Sequence, residues 1–233
     1  MTNSANLPIH VAIIPDGNRR WAREKKLPVF EGHRKGYQRI VEIIKKAREM
    51  NIKILTIWGF STENWQRDKK EVNYLMKLSE NMIDKNLKEA IKEKSRIIHL
   101  GRKDRFSQRL REKIINAEEK TRAFTKYYLC IALDYGGRDE IIRAIQKVQS
   151  LKSKAQSPTE DNFNQFLDTK DLPQPNTDLI IRTSGELRTS GFMIWQSAYS
   201  EYILIDKYFP DFSPNEFEKT IEDYSLRERR FGK

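Results

Sequence analysis

The sequence predicts an α/β fold: a single domain over residues 1–233, with a central, mostly parallel six-stranded sheet flanked by helices. Three observations carry this. Short runs rich in β-branched residues recur six times, nearly continuous in apolar character, as strands buried on both faces require. Segments with helical spacing alternate with them, the pattern of parallel strands joined by crossover helices. The chain has 233 residues, 38% of them hydrophobic, enough for one core.

The strand runs are HVAII (10–14), ILTIW (54–58), RIIHL (96–100), LCIAL (129–133), DLIIR (178–182) and YILI (202–205). Helices are expected near 34–50, 69–93, 105–123, 138–150 and 214–226. In the first, Tyr37, Ile40, Val41, Ile44 and Ala47 share a stripe, with Lys45, Lys46 and Arg48 turned outward. The segment 69–93 is longer than an ordinary helix, and its apolar positions cover more than one stripe. By itself it reads as a core helix touching two neighbours, or as one that also lines an apolar cavity. Residues 150–177 read as a surface connection around a short helix near 160–167, capped by Thr159 or Ser157.

There are 44 Lys and Arg against 33 Asp and Glu, a formal charge of +11, so anionic partners are expected. Nucleic acid would call for a contiguous basic face interleaved with aromatics. Here the basic residues are scattered over outward helix faces among Glu, and no nucleic-acid partner is expected. Cys130 is the only cysteine, so no disulfide forms within the chain and a reducing compartment follows. It lies in an apolar run and reads as a buried structural thiol. No apolar run approaches membrane-spanning length, and the first residues lack a signal-peptide pattern, so a cytoplasmic protein is expected.

In an open parallel sheet, ligands bind beyond the carboxyl ends of the strands. After the first strand comes PDGNRRW (15–21). Gly17 permits close backbone approach, while Asn18, Arg19 and Arg20 offer donors to phosphate oxygens. Asp16 would repel phosphate unless a cation bridges them, and a hard oxygen ligand suits Mg²⁺. A plain strand-end turn with Asp16 capping a helix fits the same residues. After the second strand, GFSTENWQR (59–67) sets Ser61, Glu63, Asn64 and Arg67 between Phe60 and Trp65: a ligand site or a helix cap. EGHRKG (31–36) places His33 and Arg34 just before a helix, where an N-terminus attracts anions. After the fifth strand, Arg182 and Arg188 surround Ser184, Gly185 and Ser190, an anion site or a charged turn. Glu201 begins the next strand. His10 and His99 read as structural. Neither GxxxxGK[ST] nor GxGxxG occurs, so ordinary nucleotide cradles are absent.

Taken in order, HVAIIPDGNRRWA (10–22), FSTENW (60–65) with Arg67, YGGRDEI (135–141), DLIIRTSGE (178–186), WQSAYSE (195–201) and RERRFG (227–232) resemble the cis-prenyltransferases, the undecaprenyl diphosphate synthase family. The resemblance runs from His10 to Gly232. It implies condensation of isopentenyl diphosphate with an allylic diphosphate, commonly farnesyl, to give a cis-polyprenyl diphosphate such as undecaprenyl diphosphate. Short- and medium-chain cis-prenyl diphosphate synthases are the alternative within the class. A catalytically silent subunit is a further alternative, but such subunits usually lack the DGN and RTSGE elements retained here.

By that resemblance Asp16 holds Mg²⁺ and Glu201 shares it. Gly17, Asn18, Arg20, His33 and Arg67 donate to the allylic diphosphate, with Arg19, Trp21, Phe60, Glu63 and Trp65 around them. Arg182, Arg188 and Ser190 clamp isopentenyl diphosphate, and Ser61 and Asn64 lie near the departing proton. Helix 69–93 becomes one wall of an apolar tunnel, with room at Gly59 and Ala132 and constriction at Met76, Met82 and Phe106. Arg230 and Gly232 match the family's Arg-x-Gly ending, which reaches a partner subunit's isopentenyl site, so a homodimer is implied. The lipid product and basic surface suit peripheral contact with an anionic membrane. The family pattern differs at Pro15 (commonly Met), Arg19 (commonly Gly), Val29 (often Arg, contacting the allylic diphosphate unless Arg19 or Arg34 substitutes) and Gly191 (commonly Asn, loosening that turn).

Overall fold

The structure, a computed structural model, describes residues 6–150 and 157–227. Six strands form one sheet: β1 (His10–Ile14), β2 (Ile54–Ser61), β3 (Ser95–Leu100), β4 (Tyr127–Tyr135), β5 (Leu179–Thr183) and β6 (Glu201–Ile205). Their order is β3-β4-β2-β1-β5-β6, and every pairing is parallel, which sharpens the expected "mostly parallel" to wholly parallel.

Seven α-helices accompany them among the described residues: α1 (Asn18–Glu24), α2 (Val29–Glu49), α3 (Lys69–Glu93), α4 (Gln108–Thr121), α5 (Gly137–Ser150), α6 (Glu160–Phe163) and α7 (Pro214–Ser225). Alternation along the strands divides the core. Val11, Ile13, Leu55, Ile57, Leu129 and Ile131 pack with the apolar stripes of α2, α3, α4 and α7. Ala12, Ile14, Cys130 and Ala132 face the other way, against Leu172, Phe192 and Met193. Cys130 is fully buried, and burial pushes its thiol up to about 12, the inert state expected of it.

Local chemistry fixes the helix starts. The Asp68 carboxylate accepts the Lys70 amide at 2.8 Å ahead of α3. Ser213 and Glu216 form a reciprocal capping box at α7, and Thr159 caps α6 as anticipated. Each such cap stabilises by about 1 kcal/mol.

Two helical expectations change. α1 follows β1 almost at once, and Asp16 does not cap it: the cap position is Gly17, with φ 100° and no side-chain bond. α2 begins at Val29, so His33 lies inside it rather than before it. Gly32 and Gly36 resemble helix breakers, but they serve contact with α1. A Cβ on Gly32 would stand 2.0 Å from the Asn18 carbonyl oxygen, and one on Gly36 2.3 Å from Asn18 Oδ1. Glycine there lets the two helices touch.

Candidate active site

β1 has its neighbours β2 and β5 on opposite sides, and the chain departs to different sides of the sheet from there. The carboxyl ends of these three strands open into a cleft of ≈ 660 Å³. One end is polar, lined by Asp16, Asn18, Arg19, Arg20, Arg67 and Arg182; the other is apolar, lined by Ile40, Phe60, Leu75, Leu78, Met82 and Leu133.

Asp16 is the hub of the polar end. Its Oδ2 accepts from Arg182 Nη2 at 2.7 Å, and Oδ1 accepts from the Gly17 amide at 2.7 Å and Arg20 Nη2 at 3.2 Å. Burial works to raise its pKa, but the Arg182 bond and charge, with Arg20 and the Gly17 amide, outweigh it and hold the carboxyl below its ordinary value. Asp16 is therefore ionised at neutral pH. Arg182 comes from β5, only 4% exposed, and its Nη1 also donates to Ser190 Oγ at 3.0 Å. Arg20 Nη1 donates to Glu186 Oε1 at 2.7 Å, and Arg188 binds the other Glu186 oxygen.

Gly17, His33, Ser61, Asn64, Arg188 and Ser190 also line the cleft, so the structure gathers them with the residues above. Ser61 and Asn64 form a reciprocal capping box, with Asn64 Oδ1 accepting the Ser61 amide at 3.2 Å. Each side chain spends one acceptor lone pair on this box and keeps its donor, the Ser61 hydroxyl and the Asn64 amide. A bulge at Gly59 interrupts the β2–β4 register and redirects the strand end that carries Phe60.

Trp21, Glu63 and Trp65 are not in the lining. Trp21 Nε1 donates to Asp211 and Trp65 Nε1 to Asp134, each at 2.9 Å, so both indoles buttress the site from behind. Glu201 is displaced further. It begins β6 opposite Leu179, whereas Asp16 follows the carboxyl end of β1, where Ile14 pairs with Arg182. The three strand steps from Leu179 to Arg182 alone separate them by roughly 10 Å along the sheet. Glu201 instead binds Arg227 at 2.6 Å, so one chain does not bring it to Asp16. Arg230 and Gly232 lie outside the described residues.

Of the positions expected to set chain length, Gly59 and Met82 line the cleft. Ala132 faces the opposite side of the sheet, and Met76 and Phe106 belong to the core outside the lining. Gly191 has φ 81°, which suits glycine, and its carbonyl accepts the Gly137 amide at 2.8 Å. The turn expected to be loose is tied to α5.

Sequence reasoning missed Arg23, Tyr37 and Glu186, which line the cleft, and Glu71 behind it. Arg23 lies four residues beyond Arg19 on α1, so helical spacing would have found it had α1 been foreseen. Buried polar atoms without a partner also concentrate here: Asn18 Oδ1, Arg19 Nε, Tyr37 Oη and Arg182 Nε all belong to lining residues. A ligand in the cleft would supply the partners these groups lack.

The Mg²⁺ expectation fits this donor set. No group of three or more His, Cys, Asp or Glu able to hold a metal occurs among the described residues. Mg²⁺ does not need one: it takes one or two carboxylates and completes its shell with phosphate oxygens and water. Asp16 Oδ2 has one protein hydrogen bond and retains acceptor capacity.

Residues 14–232 match the prenyltransferase family model for undecaprenyl diphosphate synthase. An isoprenyl transferase of Thermotoga maritima is 46% identical over 97% of both chains. A ditrans,polycis-undecaprenyl-diphosphate synthase of Micrococcus luteus, specific for (2E,6E)-farnesyl diphosphate, is 42% identical over 99% of this chain and 93% of its own. Among solved structures, lavandulyl diphosphate synthase from Lavandula x intermedia, in complex with dimethylallyl diphosphate, superposes with TM-score 0.92. It is 35% identical and covers 97% of this chain and 99% of its own. A probable undecaprenyl diphosphate synthase from Campylobacter jejuni gives TM-score 0.80 at 33% identity, over 98% and 100%.

Proposed function

The chain belongs to the undecaprenyl diphosphate synthase family of prenyltransferases, and from that premise we propose that it elongates an allylic diphosphate, farnesyl diphosphate, with isopentenyl diphosphate to a cis-polyprenyl diphosphate. The observation that carries this is the two-ended cleft: arginines around one ionised carboxylate at one end, apolar side chains of α2, α3 and the sheet at the other. An amphiphile with a diphosphate head and a hydrocarbon tail fits both ends.

In the reaction, the C1–O bond of the allylic substrate breaks, and the isopentenyl double bond supplies the electron pair of the new bond to C1. A proton leaves the isopentenyl C2 for an oxygen of the released diphosphate, and the electrons of that C–H bond form the cis double bond. Gly17, Asn18, Arg20, His33 and Arg67 hold the allylic diphosphate. Arg182, Arg188 and Ser190 hold the isopentenyl diphosphate beside it. Ser61 and Asn64 lie near the isopentenyl C2 from which the proton departs. Asp16, held at its position by Arg182 and Arg20, is the Mg²⁺ ligand. When bound there, Mg²⁺ supplies Lewis-acid charge to the departing diphosphate. Preorganised positive charge of this kind commonly supplies most of the acceleration in such catalysis.

A homodimer belongs to the same proposal. β6 is an edge strand, and exposed Tyr199, Tyr202 and Leu204 lie on or beside it, near Glu201. Peripheral contact with an anionic membrane is expected from the +11 charge and the lipid product. Co-sedimentation with anionic vesicles, and none with neutral ones, is the outcome that supports it.

The test of the assignment is Asp16→Asn, which keeps the shape and an acceptor for Arg182 but removes the charge. Wild type should incorporate labelled isopentenyl diphosphate in a Mg²⁺-dependent manner. The variant should lose at least about a hundredfold in turnover while keeping the wild-type circular dichroism, with some loss of stability from the uncompensated Arg182. Full turnover in Asp16→Asn would remove the metal assignment; no incorporation by wild type would remove the reaction.

A further inference from the structure

Behind the polar end of the cleft stands one carboxylate with no place in the reaction just described. Glu71, in the first turn of α3, is 7% exposed and does not itself line the cleft. Its Oε1 accepts from His33 Nε2 at 3.1 Å and from Arg67 Nη1 at 3.2 Å, and its Oε2 lies 3.7 Å from Arg19 Nε. These three cationic or protonatable groups come from α2, from the turn before α3 and from α1, and all three line the cleft. One buried anion thus ties together the three elements that present them.

We propose that Glu71 is a positioning residue for the allylic end of the cleft: a fixed buried anion that sets the orientation of Arg19, His33 and Arg67 toward the bound diphosphate. The inference rests on the diphosphate reading above and adds a residue to it. Buried charges persist when paired and hydrogen-bonded, and losing one partner leaves the others uncompensated. Glu71 also decides how His33 can be used. An ionised carboxylate only accepts, so Nε2 carries a proton, and Nδ1 donates to a diphosphate when the ring is in its protonated form, which Glu71 favours. The charged groups facing this imidazole are Glu71 itself, Arg67 and Arg19. Burial lowers the His33 pKa; Glu71 opposes that shift, while Arg67 and Arg19 add to it. Arg19 Nε, buried without a hydrogen bond, is held near Glu71 by charge alone and keeps its donors for a ligand.

Positioning and simple charge balance predict opposite signs. Glu71→Gln makes the pocket more positive, so a mere counter-charge would leave an anion bound as tightly or tighter. A positioning role predicts weaker binding. We expect calorimetric binding of farnesyl S-thiolodiphosphate to Glu71→Gln to weaken about tenfold, the loss of one hydrogen bond between charged groups. KM for farnesyl diphosphate should rise by a similar factor while KM for isopentenyl diphosphate stays within about twofold. The His33 ring titration, followed by proton NMR, should shift to lower pH in the variant. Glu71→Asp, which keeps the charge but shortens its reach, should weaken analogue binding less than Glu71→Gln and leave the His33 titration near wild type. It serves as the test if the glutamine variant does not fold, and wild-type affinity in Glu71→Asp then overturns the proposal. Unchanged or tighter analogue binding by Glu71→Gln likewise overturns it and leaves the diphosphate site standing. Failure of the wild type to bind the analogue would overturn both.

Discussion

Gly17 shows how little freedom the turn after β1 has. A Cβ there would stand 2.2 Å from Ser184 Oγ and 2.7 Å from the Tyr208 ring, on a backbone with φ 100°. Gly17→Ala should therefore disturb the Asp16 amide contact and cost both stability and turnover, read as a lower Tm and a lower kcat together; a silent substitution would contradict this account of the turn. The histidines make a prediction that needs no substrate. Burial lowers His10 to about 4 and His99 to about 3, from an ordinary value near 6.5. Both stay neutral in the folded chain while the unfolded chain takes up protons, so their stabilising contribution is complete above about pH 6.5 and is lost as pH falls toward 4. Unfolding free energies from denaturant titrations should drop over that range, by up to about 1.4 kcal/mol per pH unit for each histidine. A flat profile would mean the rings are solvated. At this scale the sequence showed the residue types and hid their partners. Asp16, Arg20 and Arg182 were legible as strand-end charges, and the structure brings them together in one cluster. Glu71 was not, since its partners lie on three elements brought together only by packing.

α3 carries the clearest lesson among the elements. Its buried face, Leu75, Ser79, Met82, Ile83 and Asn86, serves both the core and the cleft, and Leu75 and Met82 belong to both at once. Periodicity revealed the helix but not which side chains face empty space. Met82 lies in the lining, and Asn86 sits one turn further along beside a separate small cavity lined by Ala90, Leu55 and Ser95. Met82→Ala should lengthen the product and Met82→Phe shorten it, read by separating dephosphorylated products by size; the alanine variant should also lose about 2–5 kcal/mol of stability. Unchanged product size in both variants would show that α3 does not limit growth. The limits of pattern reading are plain at α1 and α2. Gly32 and Gly36 carry no sign, in one sequence, that they mark helix contact instead of a break, and seven residues of α1 show no full apolar period. The six strands were legible because both sheet faces are covered, which makes each an unbroken apolar run.

The molecule as a whole presents one sheet edge, β6, with apolar side chains outward, while the opposite end of the sheet is β3. If β6 forms the homodimer contact, Tyr202→Lys with Leu204→Lys should yield a folded monomer in sedimentation at concentrations where wild type is a dimer. An unchanged sedimentation coefficient in the double variant would place the interface elsewhere. No helix among the described residues is long and apolar enough to cross a membrane, so contact with lipid would fall to surface charge and to the product itself. These features converge on the two-ended cleft, with arginines around Asp16 at one end and apolar side chains at the other. The most direct measurement is incubation of the whole protein with labelled isopentenyl diphosphate, farnesyl diphosphate and Mg²⁺, followed by separation of the products by chain length. A ladder rising by one isoprene unit and ending at one length is the predicted result. A single condensation with no further growth, or no incorporation from any allylic starter, would contradict the account.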